Sequence, residues 1–388
     1  MDFSELIAAA DPSIFTESIK AWVSGLNINS VIMLIMMIFM IVGAIDRIRG
    51  NKLGYGEKFE DGFNAIGGLA IAMAGVYAAA PVLSMVLGPI ISPIYTAIGA
   101  DASMFATTIL ACDMGGYPLA MELASDPSIG NFAGLILGTM MGPTIVFTIP
   151  VGLGIIKAED RPYLATGVLA GVITIPIGSF AGGLAAGFPV GMVLRNLIPI
   201  ALFAVLIALG LAFLPNGMVK GFQVFGRIIV IIITIGLAAA IIQKLTPLTL
   251  IPGMNPISEG VAIVGDIAVV LAGAFPLVYV ITRVFKTPLM KLGHVLGMND
   301  IAAAGLVATL ANNIPMFQML HDMDRRGKII NVAFAVSAAF VFGDHLGFTA
   351  GFDSTMIFPM IVGKLVGGVT AVAVAMLITR KYKEERHG

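Results

Sequence analysis

The run Ala111-Cys112-Asp113-Met114-Gly115-Gly116-Tyr117-Pro118 and the run Ala308-Thr309-Leu310-Ala311-Asn312-Asn313-Ile314-Pro315 decide the fold class between them. Each interrupts an otherwise apolar segment with glycine or asparagine followed by proline. Glycine admits left-handed backbone, and proline lacks an N–H and clashes with the preceding turn, so neither run continues a helix smoothly. The two runs stand 197 positions apart, and the spacing persists around them. Gly67, Ala70, Ala74 and Gly75 recur 198 positions later as Gly265, Ala268, Ala272 and Gly273, and Gly99 recurs as Gly297. Further on, Gly142-Pro143-Thr144 corresponds to Gly343-Asp344-His345, and Gly167 and Gly171 to Gly363 and Gly367. Ordered matches at a near-constant offset are the mark of the internal repeats that transporters carry.

Apolar residues make up 58% of the 388 and charged ones 12%, against roughly a quarter charged in soluble domains. Apolar segments fall at 31–48, 63–87, 102–124, 131–155, 163–187, 196–214, 228–243, 258–282, 301–320, 329–350 and 356–379. A helical span needs about 20 such residues, so the chain reads as an all-α polytopic membrane protein. If all 11 segments cross, basic residues are poorly segregated between the two sides. If 102–124 and 301–320 dip in and return, 9 full spans remain, and Arg47, Arg49, Lys52, Lys58, Lys157, Arg161, Arg325, Arg326 and Lys328 share one side. Only Lys20, Arg195 and Lys244 are left opposite. The positive-inside rule selects the second topology and makes the basic side cytoplasmic. Segment 31–48 then runs inward and 228–243 outward, so the repeats are inverted, each with a broken or re-entrant segment. Irregular backbone at membrane depth must be buried in protein or line a wet cavity, and paired breaks near the midplane are where secondary transporters hold substrate.

This reading divides the chain into an amphipathic lead-in at 1–30, a first repeat at 31–188, a linker with one span at 189–227, a second repeat at 228–380 and a charged cytoplasmic tail at 381–388. The lead-in lacks the basic start and apolar core of a cleaved signal, and Trp22 suits an interfacial anchor.

Ionisable residues inside apolar segments mark substrate or ion paths. Asp113 precedes the first break, with Gly115 and Gly116 opening the backbone and Pro118 following; a capping role for this carboxylate is the bland alternative. Asn312 and Asn313 offer amide donors and acceptors at the second break, before Pro315, and can equally cap the helix ends there. Asp344-His345, opposite Pro143-Thr144 in the first half, suits a proton-sensitive or cation-binding pair. Lys364 lies too deep to snorkel and is expected to pair with Asp344, Asp113 or Asp266, as a structural lock or a gate. Thr144 joins the substrate-binding candidates. The lining leans acidic, with Phe105, Tyr117, Phe147, Phe317 and Phe348 nearby, which suits a small cation. Gly134, Gly138 and Gly142 on one helical face permit close helix contact.

The net charge of -1 offers no basic face for nucleic acid, and a single Cys112 excludes an internal disulfide framework and a cysteine-rich metal cluster. No zinc-ligand spacing, nucleophile elbow or P-loop is present, so no enzyme, cofactor or metal site is expected. An aspartyl dyad of Asp113 and Asp344 would be an intramembrane hydrolase, but no flanking protease motif accompanies it.

Four strings carry a family resemblance: LACDMGGYPLA at 110–120, GTMMGPTIVFTIPVGLGII at 138–156, IAAAGLVATLANNIPMF at 301–317 and FGDHLGF at 342–348. Over nearly the whole chain, from about Ile32 to Met376, the sequence resembles the EutH family, ethanolamine permeases of bacterial ethanolamine-utilisation operons. The resemblance implies an inner-membrane facilitator feeding ethanolamine to a cytoplasmic pathway that begins with a cobalamin-dependent ammonia-lyase. Asp113 or Asp344 would take the ammonium and Asn312 or Asn313 the hydroxyl. Two rival functions are a proton- or sodium-coupled carrier of another small amine or amino acid and a membrane amine sensor that transports nothing; monomer and homo-oligomer both remain open.

Overall fold

The computed structural model describes residues 12–380, so the expected tail at 381–388 and the first part of the lead-in lie outside the described residues. What is described is helical or irregular, with no strand among the described residues. Eight helices there are long and apolar enough to cross a membrane: Ile28–Ile48, Tyr55–Ala97, Pro127–Ile155, Ala158–Ala185, Val190–Phe213, Lys220–Leu245, Ile257–Val295 and Ser354–Ile378. The most apolar stretch of Pro127–Ile155 is 94% buried and that of Ile28–Ile48 only 11%. The former is therefore the centre of the bundle, and the latter shows its apolar side chains to lipid. At its start, Ile28–Ile48 is closed by a capping box: the Asn27 side chain accepts from the Asn29 and Ser30 amides while Ser30 Oγ accepts from the Asn27 amide.

Each of these eight helices overlaps one of the nine expected spans. The ninth, 329–350, is instead two pieces, Arg325–Ala338 and Asp344–Phe352. Between them Phe340 takes a left-handed conformation at φ +64. The Phe340 and Phe342 amides donate to the carbonyls of Thr309 and Leu310, so groups freed by the break are satisfied by the second interrupted segment.

That segment consists of Asp300–Ala311 and Asn313–Met319 around an extended Asn312. Its counterpart runs Ser103–Ile109, extended Leu110, a short turn at Cys112–Met114, then Gly116–Leu123. In both, the two arms pack against each other. Their ends are also tied together. Asp101 Oδ2 accepts from the Ser125 amide at 3.0 Å and from Ser125 Oγ at 2.5 Å, and the Asn299 amide donates to Asp324 Oδ1 at 2.7 Å while Asn299 Nδ2 donates to Asp322 O at 3.0 Å. Each interrupted segment is thus a hairpin whose two ends meet, opened by a glycine, Gly99 or Gly297, at φ +75.

Small residues let helices pack closely. A Cβ on Gly62 would lie 2.4 Å from the Ala272 amide nitrogen, and one on Gly260 would lie 3.2 Å from Ala74 Cα. Gly134, Gly138 and Gly142 lie against Tyr117, Thr107 and Leu110, as close contact required.

Candidate functional site

The first hairpin's turn meets the broken element of the second half at the centre of the bundle. Ligating atoms of Cys112, Asp113 and His345 lie within 4.8 Å of one another. His345, 2% exposed, and Lys364, 1% exposed, face each other, with Lys364 Nζ 3.0 Å from His345 Nδ1. The ammonium also donates to the Thr139 carbonyl. That carbonyl is free because Pro143, four residues on, has no N–H to give it, and the helix is irregular there: Leu137–Thr139 is a 3-10 turn and Met140 sits at φ -126. Lys364 therefore differs from expectation. Among the described residues no carboxylate lies within ion-pair distance of it; a backbone carbonyl and an imidazole take its hydrogens instead. With Nδ1 of His345 turned to Lys364, Nε2 is the ring nitrogen left to face Cys112 and Asp113. A second grouping, Glu159, Asp160 and His321, holds His321 Nδ1 3.1 Å from Asp160 Oδ2 and pairs Asp160 with Lys328, away from the breaks.

The second hairpin's asparagines divide their work. Asn312 Oδ1 accepts from the Ile314 amide at 2.8 Å, the capping role, which leaves its NH2 as the group available to a ligand. Asn313 Nδ2 donates to Thr148 Oγ1 at 3.0 Å, and its buried Oδ1 has no partner. Thr144 Oγ1 donates to the carbonyls of Met140 and Val336, so this hydroxyl holds two elements together. Gly115, at φ +87 with Val76 against it, and Gly116, pressed on the carbonyls of Leu110 and Ala111, shape the turn. Pro118 is buried in the hairpin's second arm while Pro315 is exposed. Tyr117 stacks with Phe348 and Phe352 at centroid distances of 6.1 and 4.6 Å. Asp266 is exposed on the flank of Ile257–Val295, beside Val261 and Val269, and does not join this centre.

A cavity of about 360 Å³ reaches Asn312, Gly343 and Asp344 from a mouth formed by Lys58, Asp61, Tyr279 and Thr282. Lys58 Nζ donates to Asp61 Oδ2 at 2.6 Å, and Tyr55 packs edge-on against Tyr279 at 5.3 Å. The mouth was not legible from sequence: Lys58 and Asp61 lie in a short charged connection whose residues report topology, and nothing in their spacing links them to residues as far along the chain as Tyr279 and Asn312.

Over residues 28–378 the chain matches the family described as ethanolamine utilisation protein, EutH. The chain belongs to the EutH family. The probable ethanolamine permease EutH of Listeria monocytogenes is 67% identical over 356 residues, covering 92% of this chain and 95% of that protein. That of Escherichia coli K12 is 53% identical, covering 92% and 97%. The uncharacterized protein YxeR of Bacillus subtilis is 52% identical, covering 91% and 96%. No solved structure matches. Family membership and eight apolar helices together make this EutH protein a multi-pass membrane protein.

Proposed function

We propose that this EutH protein is a permease that carries ethanolamine into the cytoplasm, and that its work is transport with no catalysis. The observation that carries the reading is the cavity ending at Asn312 and Asp344. Ethanolamine is a short ammonium bearing one hydroxyl. Asp344 supplies a carboxylate for the first and the Asn312 NH2 a donor for the second, at a depth where an ammonium stripped of water needs both. Asp113, beside His345, is the second carboxylate at the breaks and receives the ammonium as it passes between the halves. The names given to the Listeria monocytogenes and Escherichia coli relatives support the substrate.

The same reading takes the two hairpins as re-entrant segments within inverted repeats at 31–188 and 228–380, joined by a spanning linker at 189–227, in the bacterial inner membrane with the C-terminus cytoplasmic. Tied hairpin ends at Asp101 and Asn299 support re-entry, and the reciprocal contacts of Gly62 with Ala272 and Gly260 with Ala74 support a pseudo-twofold axis between the halves. The Lys58 end is then cytoplasmic, by the distribution of basic residues.

The test is radiolabelled ethanolamine uptake into proteoliposomes at two external pH values, with and without an ionophore that collapses ion gradients. Uptake that persists without a gradient and falls about tenfold or more in D344N, as loss of a charge-assisted contact predicts, supports a facilitator. Uptake that requires a gradient makes the protein a coupled carrier. Absent uptake with binding-competent protein makes it a sensor and withdraws the function.

A further inference from the structure

The cavity at Asn312 and Asp344 has an equivalent set of positions in the other half. Moving its lining by the internal offsets of 197 and 198 positions names the equivalent residues: Glu259 for Asp61, Tyr77 for Phe275, Ser84 for Thr282 and Gly115 for Asn312. The correspondence is spatial as well as numerical, because Gly62 next to Asp61 packs on Ala272 and Gly260 next to Glu259 packs on Ala74.

In the first half the equivalent residues engage one another. Tyr77 Oη donates to Glu259 Oε2 at 3.2 Å, and Val76 presses on Gly115 so closely that a Cβ there would lie 2.1 Å from Val76 Cγ1. The residue equivalent to Val76 is the smaller Ala274. A phenol hydroxyl is a weaker partner for a carboxylate than an ammonium is, so a cation arriving at Glu259 replaces Tyr77 with a net gain.

We propose that Tyr77, Glu259 and Val76 form the closed gate of a second route to the breaks, from the end opposite Lys58, and that an arriving ammonium opens it by displacing Tyr77 from Glu259. The trigger rests on the ethanolamine reading above; the gate does not. Asp61 and Glu259 then serve as the two mouth carboxylates of alternating access, with Lys58 holding Asp61 where Tyr77 holds Glu259. Both are positioning residues outside the binding centre.

Cys112 tests this, since it is the chain's one cysteine, is fully buried and lies in the first break. Intact cells are treated with a membrane-impermeant trimethylammonium thiosulfonate, and the rate of Cys112 labelling is read by mass shift. Y77F should raise the rate about fivefold, the population shift expected from one lost hydrogen bond, and E259Q by less, since the glutamine oxygen still accepts from Tyr77 while the charge that strengthens the bond is gone. D61N, altered at the other mouth, should not raise it. Should neither gate variant fold, V76A removes the plug instead and should raise the rate likewise. Equal rates in every variant overturn the gate, as does an increase in D61N matching that in E259Q. Ethanolamine should accelerate labelling of the native protein; accelerated variants with an indifferent native response uphold the gate and overturn the ammonium trigger. Uptake lost in proteoliposomes while the labelling pattern holds faults the substrate and leaves the gate standing.

Discussion

Gly115 and Gly99 share a left-handed backbone, at φ +87 and +75, but differ in surroundings. A methyl group on Gly99 would meet nothing within 4 Å, whereas one on Gly115 would run into Val76. Gly99→Ala should therefore cost only the left-handed penalty of about 1–2 kcal/mol, and Gly115→Ala clearly more, with displacement of the first break; melting in detergent, followed by light scattering, orders the two. The carboxylates separate in the same manner. Asp344 lines the cavity and Asp266 is exposed on the bundle's flank. Asp344→Asn should abolish most ethanolamine binding and Asp266→Asn should leave it within about twofold, measured by calorimetry on the purified protein. Equal losses would place the ammonium elsewhere. Lys364→Met leaves the Thr139 carbonyl and His345 Nδ1 buried without their donor, a loss of about 1–3 kcal/mol per unsatisfied group, so its effect on melting should exceed that of Asp266→Asn.

The interrupted helices were visible in sequence because glycine pairs, asparagine pairs and prolines are local signals; the sorting of Lys and Arg added the expectation that they dip in and return. The break at 339–343 was not visible. Its residues, Ala339-Phe340-Val341-Phe342-Gly343, read as continuous apolar helix, and the interruption is stabilised from outside by carbonyls of Thr309 and Leu310 some thirty positions earlier. The clasps closing each hairpin were equally silent, since Asp101 and Asn299 look like ordinary caps. Burial alone would raise the Asp101 carboxyl, but bonds from Ser103 and Ser125 outweigh it and hold it below its ordinary value. A carboxyl depressed in the folded state stabilises above its unfolded pKa of about 3.9 and stops doing so as pH falls through the folded value. Acidification below about pH 4 should thus lower the melting temperature of the native protein more than that of D101N, which starts a few degrees lower at neutral pH. In the second hairpin, Asn299→Ala loses the bonds to the Ala302 amide and the Asp322 carbonyl and should cost about 1 kcal/mol.

At the scale of the whole molecule, glycines and alanines spaced 198 positions apart were legible in sequence, while the contacts they make, Gly62 on Ala272 and Gly260 on Ala74, were not. Lys364 shows the limit: Pro143, four residues after Thr139 and without an N–H, already leaves that carbonyl free in sequence, but nothing there links it to a lysine 225 positions on. The exchange of neighbours across the molecule is uneven, and the unevenness can be measured. Gly62 meets backbone at 2.4 Å, where neither Ala272 nor its helix can yield cheaply; Gly260 meets Ala74 at 3.2 Å, where a shift of a few tenths of an ångström suffices. If the two contacts are the paired hinges between halves, alanine at Gly62 should force the helices Tyr55–Asn64 and Ile257–Val295 apart and widen the mouth beside Asp61, while alanine at Gly260 should fold nearly as the native chain does. The expected result is a loss of about 2 kcal/mol or more for Gly62→Ala and less than about 1 for Gly260→Ala, in thermal melts of the purified protein. The transport consequence should invert that order: Gly260→Ala stiffens the contact beside the shut Tyr77–Glu259 gate and slows uptake in a protein of near-native stability. Matched losses of stability and flux in both variants would mean that these glycines only pack the halves and that the movement between access states hinges elsewhere.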